Sequence, residues 1–129
     1  MSLMDKEHFF SWIIDENVQA TKRVDKSFYA YGETVIPIGI RRFFEIEKYS
    51  KGDVIDIKII FKGRGYEGKI YFENNFNRSK LKMESELKLG VQECICNSVC
   101  RGDYNNNKVI AKFTKDTNKI YYMTLSVEI

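Results

Sequence analysis

A chain of 129 residues is long enough for one domain that buries roughly two-thirds of the surface its unfolded form exposes, without needing disulfides or metal. Apolar residues at 43% and charged residues at 30%, with nine Phe, eight Tyr and a single Pro, exclude intrinsic disorder, a collagen-like repeat and a Pro-rich linker. The net charge of +3 from 21 basic and 18 acidic residues is too mild to imply a polyanionic partner unless it is unevenly spread. No apolar run approaches the roughly 18 residues of a membrane span, and the start lacks a secretory signal, so the expected location is the cytoplasm, with no membrane partner.

Met1-Ser2-Leu3 ahead of a second Met at position 4 reads as an expression scar, leaving residues 4–129 as a single domain. Its final residues, Ser126-Val127-Glu128-Ile129, read as the interior of a strand, as in a domain cut from a longer chain. Asp5 can cap a helix over about 5–22, with Phe9, Phe10, Ile13, Ile14 and Val18 at three- and four-residue spacing and Trp12 at the flank. A connector follows, and a barrel-like body is expected over about 28–129. Residues Phe28 to Ile38 alternate toward the only proline, Pro37, which suggests an edge strand or a strand start. Residues Gly39 to Glu47 suit a short helix, and Lys51-Gly52-Asp53 turns the chain back.

From residue 54 the period becomes two, with Ile55, Ile57, Ile59 and Phe61 on one face. Gly63-Arg64 offers a two-residue type II′ turn, which sets Phe61 opposite Tyr66, Ile57 opposite Ile70 and Lys58 opposite Lys69. A four-residue loop at Asn74-Asn75-Phe76-Asn77 then sets Tyr71 opposite Lys80, Ile70 opposite Leu81 and Lys69 opposite Lys82. Residues 84–93 read as a helix despite Gly90, and 109–114 with 119–127 as a last hairpin. Residues 94–108 receive no assignment beyond turns, among them Arg101-Gly102-Asp103.

Charge is unevenly distributed: residues 1–39 carry −2, residues 40–82 carry +5 and residues 83–129 carry 0. In the expected register Lys58, Lys69 and Lys82 line up across three strands, with Lys62, Arg78 and Lys80 nearby. Like charges directly opposite are destabilising, and a phosphate backbone laid against the row would relieve them. The alternative is a solvated outer face whose lysines discourage edge pairing. Arg41 and Arg42 at a helix start and Arg64 at a hairpin tip suit phosphates or guanine edges, although Arg41 and Arg42 can equally pair with Glu45 and Glu47.

Asp56 followed by Glu67-Gly68-Lys69 has the Asp, Glu-x-Lys pattern of many metal-dependent restriction-type nucleases. In the expected register Glu67 faces Ile60, on the order of 13 Å from Asp56, too far to share one magnesium ion. Cys94, Cys96 and Cys100 form neither a redox pair nor a zinc knuckle, and the one histidine, His8, is distant in sequence, so reduced cysteines are expected. There is no Walker A loop, dinucleotide fingerprint or Gly-x-Ser-x-Gly, so no catalytic residue, metal or cofactor is expected.

Val35-Ile36-Pro37-Ile38-Gly39-Ile40-Arg41-Arg42-Phe43-Phe44, then Lys51-Gly52-Asp53-Val54-Ile55-Asp56-Ile57, resembles the strand, Pro, short helix, Gly-Asp, strand arrangement of the DNA-binding pseudobarrel domains. That group includes the plant B3 domain and the B3-like recognition domains of restriction enzymes. Tyr66 to Ile70, Arg78 to Leu81 and the helix near Glu84 continue the resemblance, which covers about residues 35–90. The stretch Ile36 to Asp53 also resembles the swapped-hairpin transcription regulators. The pseudobarrel resemblance implies a seven-stranded open barrel gripping the major groove, with any cleavage done by a nuclease domain elsewhere in the parent chain.

The expectation is therefore an α+β domain, a bent antiparallel sheet or open seven-stranded pseudobarrel with an N-terminal helix and short flanking helices. It would bind double-stranded DNA as a non-catalytic module of a restriction or defence-related protein. Lys58, Lys69, Lys80 and Lys82 would position phosphates, and Arg41, Arg42, Arg64 and Arg78 would add phosphate or base-edge contacts. The competing expectation is a protein-interaction or small-ligand domain using the aromatic surface around Phe28, Tyr29 and Tyr31.

Overall fold

The computed structural model describes residues 6–9, 11–16, 18–73, 78–96, 108–116 and 119–128. Its strands are β1 (Lys6–Phe9), β2 (Trp12–Asp15), β3 (Gln19–Arg23), β4 (Glu33–Ile36), β5 (Val54–Phe61), β6 (Arg64–Phe72), β7 (Ser79–Met83), β8 (Lys108–Lys115) and β9 (Ile120–Glu128). The two short helices are α1 (Arg41–Phe44) and α2 (Ser85–Cys94). One sheet holds all nine strands in the order β1-β2-β3-β8-β9-β5-β6-β7-β4. Every neighbouring pair is antiparallel except β5 with β9.

The sheet curls until its ends meet. The Trp12 indole on β2 donates a hydrogen bond of 3.0 Å to the Val35 carbonyl on β4, although these strands lie at opposite ends of the order. Beneath that seam Trp12 stacks on Phe113 and meets Phe44 edge-on, while Phe43, Phe44 and Tyr121 crowd together. Such an aromatic cluster fills the wide interior of a curled sheet, where short aliphatic side chains would leave voids. No helix among the described residues is long and apolar enough to cross a membrane.

The N-terminal helix expected over 5–22 is three strands instead. Trp12 and Ile14 alternate inward on β2, Ala20 and Lys22 do so on β3, and β3 pairs with β8, about ninety residues away in the chain. Glu16 has φ 52°, which breaks any helix there. The apolar spacing of residues 9–18 fits both periods, and the partner strand that selects one of them is invisible locally. The β1 end is anchored at Gly39, where a Cβ would sit 2.1 Å from the Phe9 ring. The sheet accordingly has nine strands, where seven were expected.

Elsewhere the expectations hold more closely. β6 and β7 pair in the expected register, Tyr71 opposite Lys80 and Lys69 opposite Lys82, while the expected loop at 74–77 lies outside the described residues. Pro37 ends β4, an edge strand, and α1, α2 and the last hairpin lie where expected. Residues 27–31 form a π-helical turn instead of a strand, because the Asp25 carboxylate accepts the Phe28 amide proton at 3.0 Å and starts the turn. The β5–β6 register differs by two residues. Lys62 and Gly63, with φ 53° and 80°, are the central pair of a type I′ turn, so Ile57 faces Gly68 and not Ile70. A shift of two keeps every side chain on its face but changes every cross-strand partner.

Candidate nucleic-acid interface

The shifted register dissolves half of the expected lysine row. Lys58 faces Glu67, and Lys69 faces Asp56 and pairs with it at 2.6 Å; that hydrogen bond holds the Lys69 ammonium above its ordinary pKa. Lys82 still faces Lys69 but shares the Glu33 carboxylate with Lys80, at 3.8 and 3.5 Å. Arg78 lies 3.6 Å from Glu73. The row across β5, β6, β7 and β4 therefore reads Asp56, Lys69, Lys82, Glu33, which relieves the repulsion without a ligand.

The arginines divide by burial. Arg41 is 8% exposed, donates to the Ser79 hydroxyl at 3.1 Å and lies over the Phe72 ring, and desolvation pulls its guanidinium pKa down. Ser79 in turn donates to the Ile36 carbonyl, so Arg41 braces β4 against β7 and belongs to the core, not to a DNA-facing set. Arg42 pairs with Glu7 at 2.7 Å and lies over Phe9. Arg64 pairs with Glu86 on α2 and covers Tyr66, and the bond to Glu86 pushes its pKa up. Of the expected contact residues, Lys58, Arg78, Lys80 and Lys82 are thus the most readily redirected, since Lys58 has no ion pair within 4 Å among the described residues and the others hold theirs only at 3.5–3.8 Å.

A cleft of about 500 Å³ runs along the seam, lined by Trp12, Lys22, Asp25, Val35, Arg78 and Lys80 among others. Lys22 is 2% exposed, and its ammonium donates to the Ser11 hydroxyl and, at 2.8 Å, to Asp25. Burial pushes the Asp25 carboxyl up, but the hydrogen bonds from Lys22 and the Phe28 amide outweigh it, so Asp25 titrates below the ordinary aspartate value. Phe28 itself is wholly buried, which leaves Tyr31 and the half-buried Tyr29 of the expected aromatic surface.

The same register shift places Asp56 diagonal to Glu67, with Lys69 directly across from Asp56, at a spacing of about 7–8 Å between such diagonal neighbours. The expected separation on the order of 13 Å is thereby corrected. Asp56 stays 76% exposed with one oxygen held by Lys69. Among the described residues no three His, Cys, Asp or Glu side chains gather as a metal site. Cys94 is buried and Cys96 exposed, its sulfur 3.2 Å from the Tyr29 hydroxyl; Cys100 and Arg101-Gly102-Asp103 lie outside the described residues.

The sequence pattern does not single out Arg23 or Lys112, although both are exposed and point outward, and Lys62, expected beside the lysine row, is exposed at the β5–β6 turn. Arg23 had been placed in a connector, and Lys112 lay in a segment whose charge sums to zero. The alternation of Lys112 and Thr114 with buried Ala111 and Phe113 was the available signal.

No protein-family model and no curated protein sequence matches the chain. Among solved structures, the fold is similar to the N-terminal domain of Helicobacter pylori LlaJI.R1, at a TM-score of 0.59 and 16% identity, covering 84% of this chain and 79% of that one. It is also similar to the hypothetical Arabidopsis thaliana protein At1g16640.1, at a TM-score of 0.46 and 16% identity, covering 84% and 88%. The first likeness shows a shared fold, and it fits the pseudobarrel resemblance of residues 35–90.

Proposed function

We propose that this chain is a double-stranded DNA-binding recognition module of a restriction or defence-related protein, without catalytic activity of its own. The observation that carries the proposal is the outward face of β7, where Lys80 and Lys82 share the single carboxylate of Glu33 and Arg78 extends the line at the same two-residue interval. Three cations at two-residue intervals, held by ion pairs of 3.5–3.8 Å, can be transferred to phosphates at little cost. The fold shared with the N-terminal domain of LlaJI.R1 supports a recognition role, and cleavage would belong to another domain of the parent chain.

Fluorescence anisotropy with random-sequence duplex DNA across a salt series tests this. Binding at about 1–100 μM that weakens steeply with salt is expected, with the slope reduced in a variant carrying Arg78→Ala, Lys80→Ala and Lys82→Ala. No binding at low salt would overturn the proposal in favour of a protein-interaction or small-ligand domain.

A further inference from the structure

The outward face of β3, β8, β9 and β5 differs in kind from that of β7. Thr21, Lys112 and Thr124 form one cross-strand row, and Gln19, Thr114, Tyr122 and Ile60 form the next. Arg23 stands one row further along β3, opposite Ile110, and Lys58 and Lys62 occupy the β5 side. Arg23, Lys58, Lys62 and Lys112 are all exposed, and none has an ion pair within 4 Å among the described residues. No carboxylate stands in these two rows on β3, β8, β9 and β5; Asp15 on β2 faces Gln19 at the end of the second.

Strand spacing sets Arg23 about 8 Å from Lys112, about one Debye length at physiological salt, and Lys112 about 10 Å from Lys62, about one Debye length at roughly 0.1 M. Unopposed like charges at that range repel one another, and the fold gains nothing from them. Protection against edge pairing does not explain them, because β3, β8, β9 and β5 are interior strands of the sheet. The residues between the cations are Thr, Tyr and Gln, whose hydroxyl and amide groups donate hydrogen bonds to phosphate oxygens as readily as to water.

We infer that this face is a second contact surface for the phosphate backbone of nucleic acid, on the other wing of the sheet from the β7 track. Arg23, Lys62 and Lys112 are its phosphate-binding residues, with Thr21, Thr114 and Thr124 donating between them. The inference rests on the DNA-binding reading above.

The test compares the wild type with a variant carrying Arg23→Ala, Lys62→Ala and Lys112→Ala, using random-sequence duplex DNA from 25 to 300 mM salt on the order of the range over which counterion release is read. A slope of log K against log salt lower by about 2–3, with an unchanged thermal midpoint, supports the inference, since each lost phosphate contact removes about 0.9. Wild-type binding with an unaltered slope in the variant overturns the inference and leaves the DNA-binding reading standing. No wild-type binding at any salt overturns both.

Discussion

The two wings of the sheet meet at β5 and manage charge in opposite ways. On β6, β7 and β4 the lysines Lys69, Lys80 and Lys82 each lie near a carboxylate, Asp56 or Glu33. On β3 and β8 the outward Arg23 and Lys112 have no acidic partner among the described residues. In the first wing β5, β6 and β7 form consecutive hairpins, so that part of its charge pattern follows from local turns, whereas Glu33 reaches Lys80 and Lys82 only when β4 pairs with β7. The second is built from strands far apart in the chain, and its cationic face arises only when β3 meets β8 and β9 meets β5. Clustered basic sequence therefore marks the wing whose charge is already largely compensated, and the uncompensated charge comes from scattered residues.

The largest effect should come from separating the wings. Trp12→Ala removes both the stacking on Phe113 and the bond to Val35, and is expected to cost about 3–5 kcal/mol in denaturant unfolding. A loss under about 1 kcal/mol would mean that the seam does not hold the two ends together. Glu33→Gln sharpens the contrast from the other side, because it releases Lys80 and Lys82 from their shared carboxylate. DNA affinity at low salt should rise severalfold and the salt slope steepen by about 1–2; an unchanged slope would take β7 out of the interface.

Asp25 at the seam supplies a pH test. Its native pKa lies below the ordinary aspartate value of 3.8, so its stabilisation is complete above that value and disappears as the pH falls through the lower native one. Asp25→Asn should therefore lower stability by about 1 kcal/mol at neutral pH and converge with the wild type in acid, as followed by thermal melts. A difference that persists at pH 2, on the order of two units below the ordinary value, would assign the loss to packing instead.

The smallest effects belong to the tight exposed pair. Lys69→Ala should change stability by less than about 0.5 kcal/mol, since both partners are solvated. Supercoiled plasmid incubated with the protein and magnesium should stay intact. Nicking that Asp56→Asn abolishes would instead make Asp56, Glu67 and Lys69 a nuclease site.

Much of the middle of the chain was legible in its residues. The β6–β7 register is the one expected from the sequence, Pro37 marks the edge strand, and the apolar face of residues 87–94 marks α2. A type II′ turn puts glycine first and so points to Gly63-Arg64, whereas Lys62 adopts φ 53° and leaves Gly63 second in a type I′ turn, one residue earlier. That step exchanged Lys58 opposite Lys69 for Lys58 opposite Glu67. Arg41 misled for a different reason: a charged residue is read as exposed by default, and Ser79, Phe72 and the Ile36 carbonyl bond network that make its burial tolerable come from three separate segments.

By itself, then, the sequence determined the alternation that makes strands, the local turns and hence the hairpins of one wing, because those depend on residues within about ten positions of each other. Tertiary structure alone decided that residues 6–23 are strands, that Trp12 closes the seam on Val35, and that Arg23, Lys62 and Lys112 share a face on which none of them has an acidic partner among the described residues. Each of those depends on a partner strand distant in the chain, and a periodic pattern records which face a residue takes but not what stands across from it.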